Sequence, residues 1–382
     1  MKTPKVLLRS SWQTVNIGDI GHTPGMLRAL EILWPEAELT LWPGKVDRGV
    51  DKMLMAAFPK LRIAEGGIGA DGKPDTGALR KAVAESDFLL HGSGPRIVAE
   101  DHVRAFHKTT GKPYGFLGVT AEHMNEGLRA LLDGASFIYL RDSVSEKFLK
   151  KEKIRCPVIA FGPDATFSIH LRDEERALSF LKKNGLEEGN FICAIPRLRY
   201  TPYYLIHNTP PTERELERDK VNETFRDADL GKLREAMILW VRKTGQKILA
   251  CPEMSYEMEL AKKYLIEPLP SDVKPFVVWR EEYWRPDEAA SVYARAAALA
   301  SIELHSPIIA IANGVPAIYI RQPTDTCKGQ MWRDVGLSDW IFEIDEAKGE
   351  DIGRALLGIH QDPKGARDKV RKAQAFVLER ER

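Results

Sequence analysis

The chain has 382 residues, 43% of them hydrophobic and 29% charged, the make-up of a folded protein of about two domains. Lysine plus arginine (56) nearly balances aspartate plus glutamate (55), so the net charge of +1 excludes the global basicity of many nucleic-acid binders and the imbalance of a disordered polyelectrolyte. No apolar run approaches the ~20 residues that span a bilayer. The N-terminal apolar run is too short for a signal peptide, so a cytoplasmic protein is expected. Cys156, Cys193, Cys251 and Cys327 lie far apart with no Cys-x-x-Cys pair. They are expected as reduced thiols with no metal site.

Short apolar runs alternate with longer amphipathic ones. In the first half, strands are expected at 6–9, 39–42, 88–91, 114–119, 137–140 and 157–161. Helices are expected at 24–33, 50–58, 99–108, 125–132 and 144–151. The second half repeats the pattern, with strands at 191–195, 247–251, 276–279, 297–302, 317–320 and 341–344. Its helices are expected at 230–244, 256–265, 286–295, 306–312, 351–360 and 365–381. Continuous apolar strands alternating with helices predict parallel sheets covered on both faces. The expected fold is therefore α/β, with two doubly wound Rossmann-like domains, 1–170 and 171–382, facing each other across a cleft. Residues 196–229 are charged, hold four prolines and show no clear period. They are expected to form a flap over the cleft or a plain surface insertion.

Open α/β sheets bind ligands beyond the carboxyl ends of their strands, and five segments stand there. Asn16-Ile17-Gly18-Asp19 follows the first strand. Gly18 lets backbone approach a ligand and Asp19 suits a general base, although an Asx turn opening a helix needs the same residues. His91-Gly92-Ser93-Gly94-Pro95-Arg96 follows a central strand. Gly92, Ser93 and Gly94 suit either a nest of N–H groups for an anion or a tight turn. The segment is neither a Walker loop nor a dinucleotide fingerprint, and the first strand's lack of a glycine-rich turn argues against an NAD oxidoreductase. In Arg141-Asp142-Ser143, capping of the next helix accounts for Asp142 and Ser143 but not for Arg141, whose planar fork suits phosphate or carboxylate.

Glu303-Leu304-His305-Ser306 joins a strand to a helix. A histidine there sits at a helix N-terminus and suits acid–base work. The loop 321–330 is dense in polar groups, including Arg321 and Lys328, and suits ligand binding or plain solvation. The remaining histidines, His102 among them, show no metal-ligand spacing and are expected at the surface or in loops.

Together these segments resemble the polysaccharide pyruvyl transferase family. Its pattern runs through Asn-x-Gly-Asp, a glycine-rich turn, Arg-Asp-x-Ser, Asp-x-x-Phe, Leu-His-Ser/Ala, Gly-Val-Pro and a downstream Lys. This chain supplies Asn16 to Asp19, His91 to Gly94, Arg141 to Ser145, Asp164 to Phe167, Leu304 to Ser306, Gly314 to Pro316, and Lys328. The resemblance implies a fold similar to the glycosyltransferase B architecture. It also implies transfer of pyruvate from phosphoenolpyruvate to a sugar as a ketal, with no metal or organic cofactor. The partners implied are a small-molecule donor and a carbohydrate acceptor, not nucleic acid.

The positions it points to are His305 as acid, Asp19 as base, and Arg141 and Lys328 as anion holders. Asn16, Gly18, Ser306 and Arg321 stand beside them. Glu303 departs from the pattern, which has arginine there; a glutamate repels the donor's anionic groups unless a loop cation such as Arg321 or Lys328 compensates it. An acid at 303 also suits sugar or ribose hydroxyls, which keeps a nucleotide-sugar glycosyltransferase as an alternative. A non-catalytic carbohydrate-binding relative is the other alternative.

Overall fold

The structure is a computed structural model that describes residues 3–381. The first half builds a seven-stranded sheet from β1 (Lys5–Ser10), β2 (Glu38–Pro43), β3 (Arg62–Ile63), β4 (Phe88–His91), β5 (Tyr114–Val119), β6 (Ile138–Leu140) and β7 (Ile159–Phe161). Every pair in it is parallel, in the order β3-β2-β1-β4-β5-β6-β7. The second half builds a six-stranded parallel sheet from β8 (Phe191–Ile195), β9 (Lys247–Ala250), β10 (Val277–Trp279), β11 (Ala298–Ser301), β12 (Ala317–Arg321) and β13 (Ile341–Glu343). Its order is β10-β9-β8-β11-β12-β13. These are two Rossmann-like domains, as the alternation predicts. Successive residues such as Leu7 and Leu8, or Ile192 and Cys193, are all fully buried, because helices cover both faces of each sheet.

Strand order reverses between β1 and β4 in one sheet and between β8 and β11 in the other. Loops leaving those strands are where such sheets hold ligands. The chain divides into two compact units. The first holds the N-terminal residues through Thr14, then Asp19–His170, then the residues from Phe376 onward. The second holds Val15–Gly18 and Leu171–Ala375.

Three features differ from the sequence-based expectation. The first helix begins at Ile17, not at residue 24, and carries Pro24 inside it. Most of it is buried, so it shows no polar face and no helical period for the sequence to reveal. Second, residues 196–229 are not a flap. They hold a short helix, Tyr203–His207, and the first half of the 32-residue helix Glu213–Thr244. That helix starts on a capping box between Thr212 and Glu215. Arg199 anchors it with a bidentate bond to Asp229 at 2.8 and 3.0 Å. Its charged early turns show little apolar stripe, which is why the period stays hidden until residue 230. Third, β3 and the helices Gly77–Glu85 and Glu174–Asn184 were not expected from the sequence.

The helix Ile17–Leu33 lies against the turn Ala165–Ser168 through its glycines. A Cβ at Gly25 would stand 1.8 Å from the Ala165 carbonyl oxygen. Because that obstacle is backbone, Gly25→Ala is expected to destabilise the protein by roughly 1–3 kcal/mol, the usual range for overpacking. Urea unfolding reads this as a lower midpoint with unchanged slope, and an unchanged midpoint would contradict the close approach.

Candidate functional site

In the second unit, loops from four strand ends bring charged side chains together. Arg197 lies just past β8, Glu253 past β9, Glu303 and His305 past β11, and Asp325 and Lys328 past β12. His305 is the first residue of the helix His305–Ala312, one residue earlier than expected. Its Nδ1 lies 3.4 Å from Glu253 Oε1, and the Ser306 N–H donates to Glu253 Oε2 at 2.5 Å. The Ser306 hydroxyl lies 3.2 Å from the Tyr293 hydroxyl, so Ser306 is tied into the framework on both sides.

The segment at Asn16 joins this group. Ile17 N–H donates to the Glu253 carbonyl at 3.0 Å, Asn16 bridges Met254, and Gly18 N–H donates to Asn16 Oδ1 at 2.6 Å. A Cβ at Gly18 would fall 2.2 Å from His305 Cγ. Glycine is therefore what lets the imidazole lie against this backbone. Asp19 follows on the same helix, half-buried, and accepts a hydrogen bond from Gln13.

Beside His305 stands a second cluster. Asp325 receives Arg197, Lys328 at 2.9 Å, the Tyr319 hydroxyl at 2.6 Å and the Gln322 N–H at 3.0 Å. Arg197 Nε also lies 3.1 Å from Glu303 Oε1, an ion pair without the alignment of a hydrogen bond. The main cation facing Glu303 is thus Arg197, with Lys328 contributing as well. Arg321 does not play that part: its guanidinium goes to Glu343 at 2.7 Å and to the Thr326 carbonyl at 2.5 Å. Lys328 is held by Asp325. Arg197 and Glu253 were missed in the sequence, yet both stand within three residues of a strand's carboxyl end, the same signal that singled out His305.

Burial sets the charges of this group. It pushes the Glu303 carboxyl up to about 7, with Arg197 pulling the other way and Glu253 adding to the rise. Glu257 is pushed well above the carboxylate range by burial and by Glu303 and Glu253. For Glu253 burial raises the pKa, but His305 and Ser306 outweigh it and the net shift is down. Asp325 is likewise buried, and Arg197 and Lys328 hold it well below the usual range. Around neutral pH the group therefore holds anionic Glu253 and Asp325 and Glu303 in mid-titration, with Glu257 pushed toward its protonated form.

The first unit places its predicted residues differently. Arg141 is 1% exposed, with Nη1 on Asp164 at 2.8 Å and Nε on Thr120 Oγ1 at 2.7 Å. His22 Nε2 lies 3.4 Å from the same Asp164 oxygen. Arg141 is thus committed to a buried framework instead of being presented to an anion. The helix cap beside it is Asp142, which accepts the Ser145 N–H at 2.7 Å, not Ser143. The turn at Gly92 is also closed. Gly92 N–H donates to the Arg9 carbonyl at 3.0 Å and Gly94 N–H to the Gly118 carbonyl at 3.2 Å. Ser93 Oγ accepts the Ala165 N–H at 3.0 Å. Those amides serve the fold, and the turn is no open anion nest.

Comparison with known proteins adds the following. The family model described as polysaccharide pyruvyl transferase matches residues 16–322. No curated protein matches the sequence. Among solved structures, a UDP-N-acetylglucosamine 2-epimerase superposes with a TM-score of 0.60 at 14% identity, covering 98% of this chain and 91% of its own. A glycosyltransferase from Rickettsia africae gives 0.57 at 11% identity, with 100% and 94% covered. An Anabaena protein in complex with UDP and glucose gives 0.55 at 11% identity, with 99% and 95% covered. At these identities the likeness is one of fold. No described helix is long and apolar enough to cross a membrane.

Glu257 is fully buried, and its Oε2 accepts the N–H groups of Glu253 and Met254 at 2.7 and 3.0 Å. A carboxyl whose folded pKa is raised keeps its proton in the native state beyond the point where the unfolded chain loses it. Its stabilising contribution is therefore full below the unfolded value and is lost as pH rises toward the folded one. Glu257→Gln keeps an acceptor for both amides and removes the titration. Its thermal midpoint at pH 8 is expected to equal or exceed that of the parent, with the difference shrinking toward pH 5. A lower midpoint at pH 8 would mean that the ionised form is the native one.

Proposed function

We propose that this chain, which belongs to the polysaccharide pyruvyl transferase family, moves the pyruvyl group of phosphoenolpyruvate onto two hydroxyls of a sugar, forming a ketal and releasing phosphate. The family match supports this. So does one arrangement in the second unit: a histidine at a helix start, backed by the buried carboxylate of Glu253, beside the cationic pair Arg197 and Lys328.

The Glu253 carboxylate, 3.4 Å from Nδ1 of His305, favours the proton on that nitrogen and leaves Nε2 as the atom that passes a proton to the donor. His305 delivers a proton to the methylene carbon of the enol phosphate, which leaves an oxocarbenium-like centre at C2. One sugar hydroxyl adds there and gives its proton to a base, assigned to Asp19 on the family motif. The phosphate then leaves with its electron pair and the second hydroxyl closes the ketal, its proton passing to the phosphate. Lys328 and Arg197 stabilise negative charge on the donor.

A nucleotide-sugar donor is the competing chemistry. It draws on Glu303 as an acceptor for ribose or sugar hydroxyls, and burial of that carboxylate against Arg197 weighs against it. Phosphate release from phosphoenolpyruvate over a panel of sugars, with the new ketal methyl read by NMR, decides between them. Release of a nucleoside diphosphate from a nucleotide sugar, with no turnover of phosphoenolpyruvate, would overturn the reading.

His305→Gln is expected to lower turnover by ~10²–10⁴, the range for a general acid, with little change in melting temperature. Gly18→Ala should approach the same loss, because its Cβ takes the space of the imidazole. A Gly18→Ala variant with full turnover would remove His305 from the acid role. The charge state of Glu303 gives a pH test. Above about 7 its carboxylate faces Arg197 together with Asp325, Glu253 and Lys328; below that value it is neutral and the group gains one unit of positive charge. Affinity for sulfate, a dianion that does not itself titrate here, is expected to fall as pH rises through about 7. Glu303→Gln should flatten that dependence, as isothermal titration at several pH values would show.

A further inference from the structure

Arg9 is the penultimate residue of β1, beside the strand-order reversal, and is 7% exposed. Its Nε donates to His102 Nδ1 at 3.0 Å, and its Nη1 to the carbonyls of Ser10 and Trp42 at 3.2 and 3.1 Å. No hydrogen bond reaches Nη2, and no described carboxylate lies within ion-pair distance of the guanidinium. Its neighbours are aromatic. The guanidinium carbon stands 5.1 Å from the Trp12 ring centroid and 5.3 Å from that of Trp42. Trp42 in turn stacks on His102 at 4.7 Å with the planes 1° apart. His102, expected from the sequence at the surface or in a loop, is thus an inner wall of this group.

The contrast with Arg141 is informative. Arg141 is also buried and owns a carboxylate, Asp164; Arg9 owns none. A buried guanidinium without a counter-ion is costly, and ring faces offset only part of that cost. Both histidines here are unsuited to share the charge: burial drives His91 to about 3 and His102 to about 4, so both are neutral at pH 7. Trp12 sits half-buried over the guanidinium, held by its Nε1 donating to the Ser93 carbonyl at 2.6 Å. An indole face next to an uncompensated cation is the pairing that a charged sugar matches, with the ring on the indole and the anion on the guanidinium.

We propose that Arg9 and Trp12 form a binding site for a sugar that carries an anionic group, a carboxylate or a phosphate. Within the transferase reading, on which only this label rests, that sugar is the acceptor. The site takes the anion on Nη2 and the Arg9 edge, while Nε and Nη1 keep their bonds to the framework.

The test is binding without any donor, so that it stands apart from pyruvyl transfer. Glucuronate, glucose 6-phosphate and glucose are titrated into the full-length protein and followed by tryptophan fluorescence and calorimetry. At least one charged sugar is expected to bind tenfold or more tightly than glucose. Preference for glucuronate assigns the carboxylate and preference for the phosphate ester assigns the phosphate. Arg9→Gln should abolish the preference. Should that variant fail to fold, Trp12→Ala, which leaves the hydrogen bonds of the guanidinium in place, should weaken all three sugars while keeping their order. Equal affinity for the three sugars in the parent, or a charge preference that survives Arg9→Gln, would overturn the proposal, as would unchanged affinities in Trp12→Ala.

Discussion

The buried carboxylate of Glu253 organises the second unit's site. It is completely enclosed, and an ion so placed costs several kcal/mol unless its lone pairs are met. The Ser306 N–H donates to one carboxylate oxygen and the His305 imidazole faces the other at 3.4 Å as an ion-pair contact, which fixes the start of the helix His305–Ala312 and the side of the ring that faces inward. The backbone of the same residue reaches the other way. Its carbonyl accepts Ile17 N–H and its amide donates to Glu257, so the Asn16 to Gly18 segment is tied to the residue that positions His305. Two motifs nearly three hundred positions apart thus share one anchor.

The neighbouring cluster shows how a buried acid can be kept without a lasting charge imbalance. Asp325 accepts from two cations, a phenol and a backbone amide, and stays ionised. Glu303, with the cations Arg197 and Lys328 set against burial and the acidic neighbours Glu253 and Asp325, is left near the midpoint of its titration. The two carboxylates are of one kind chemically; their difference comes from the number of donors each has inside the same low-dielectric space.

The first unit makes the same point with cations. Arg141 and Arg9 both lie at strand ends, and both are nearly buried. Arg141 is matched by Asp164 and becomes part of the scaffold, whereas Arg9 meets only neutral acceptors and aromatic faces. Matching decides which of the two is available to a ligand, and matching is a property of neighbours brought in from other strands.

The sequence by itself determined the two parallel sheets, because apolar runs alternating with helices have few other ways to bury their surface. It also determined that charged side chains gather after the strands, since His305, Asp325 and Lys328 all follow runs that could be read as buried strands. Hidden from it were elements without a period, such as the enclosed helix at Ile17 and the charged early turns of Glu213–Thr244. The partners of each charge were hidden too. Arg141 reads as an anion binder and is a buried strut; Arg321 reads as the counter-ion of Glu303 and pairs with Glu343; Arg197 and Glu253 drew no notice and hold the site together. Local propensity and hydrophobic pattern are properties of neighbouring residues along the chain. The charge of a buried group depends on solvent exclusion and on donors supplied by distant segments, so only the tertiary structure decided it.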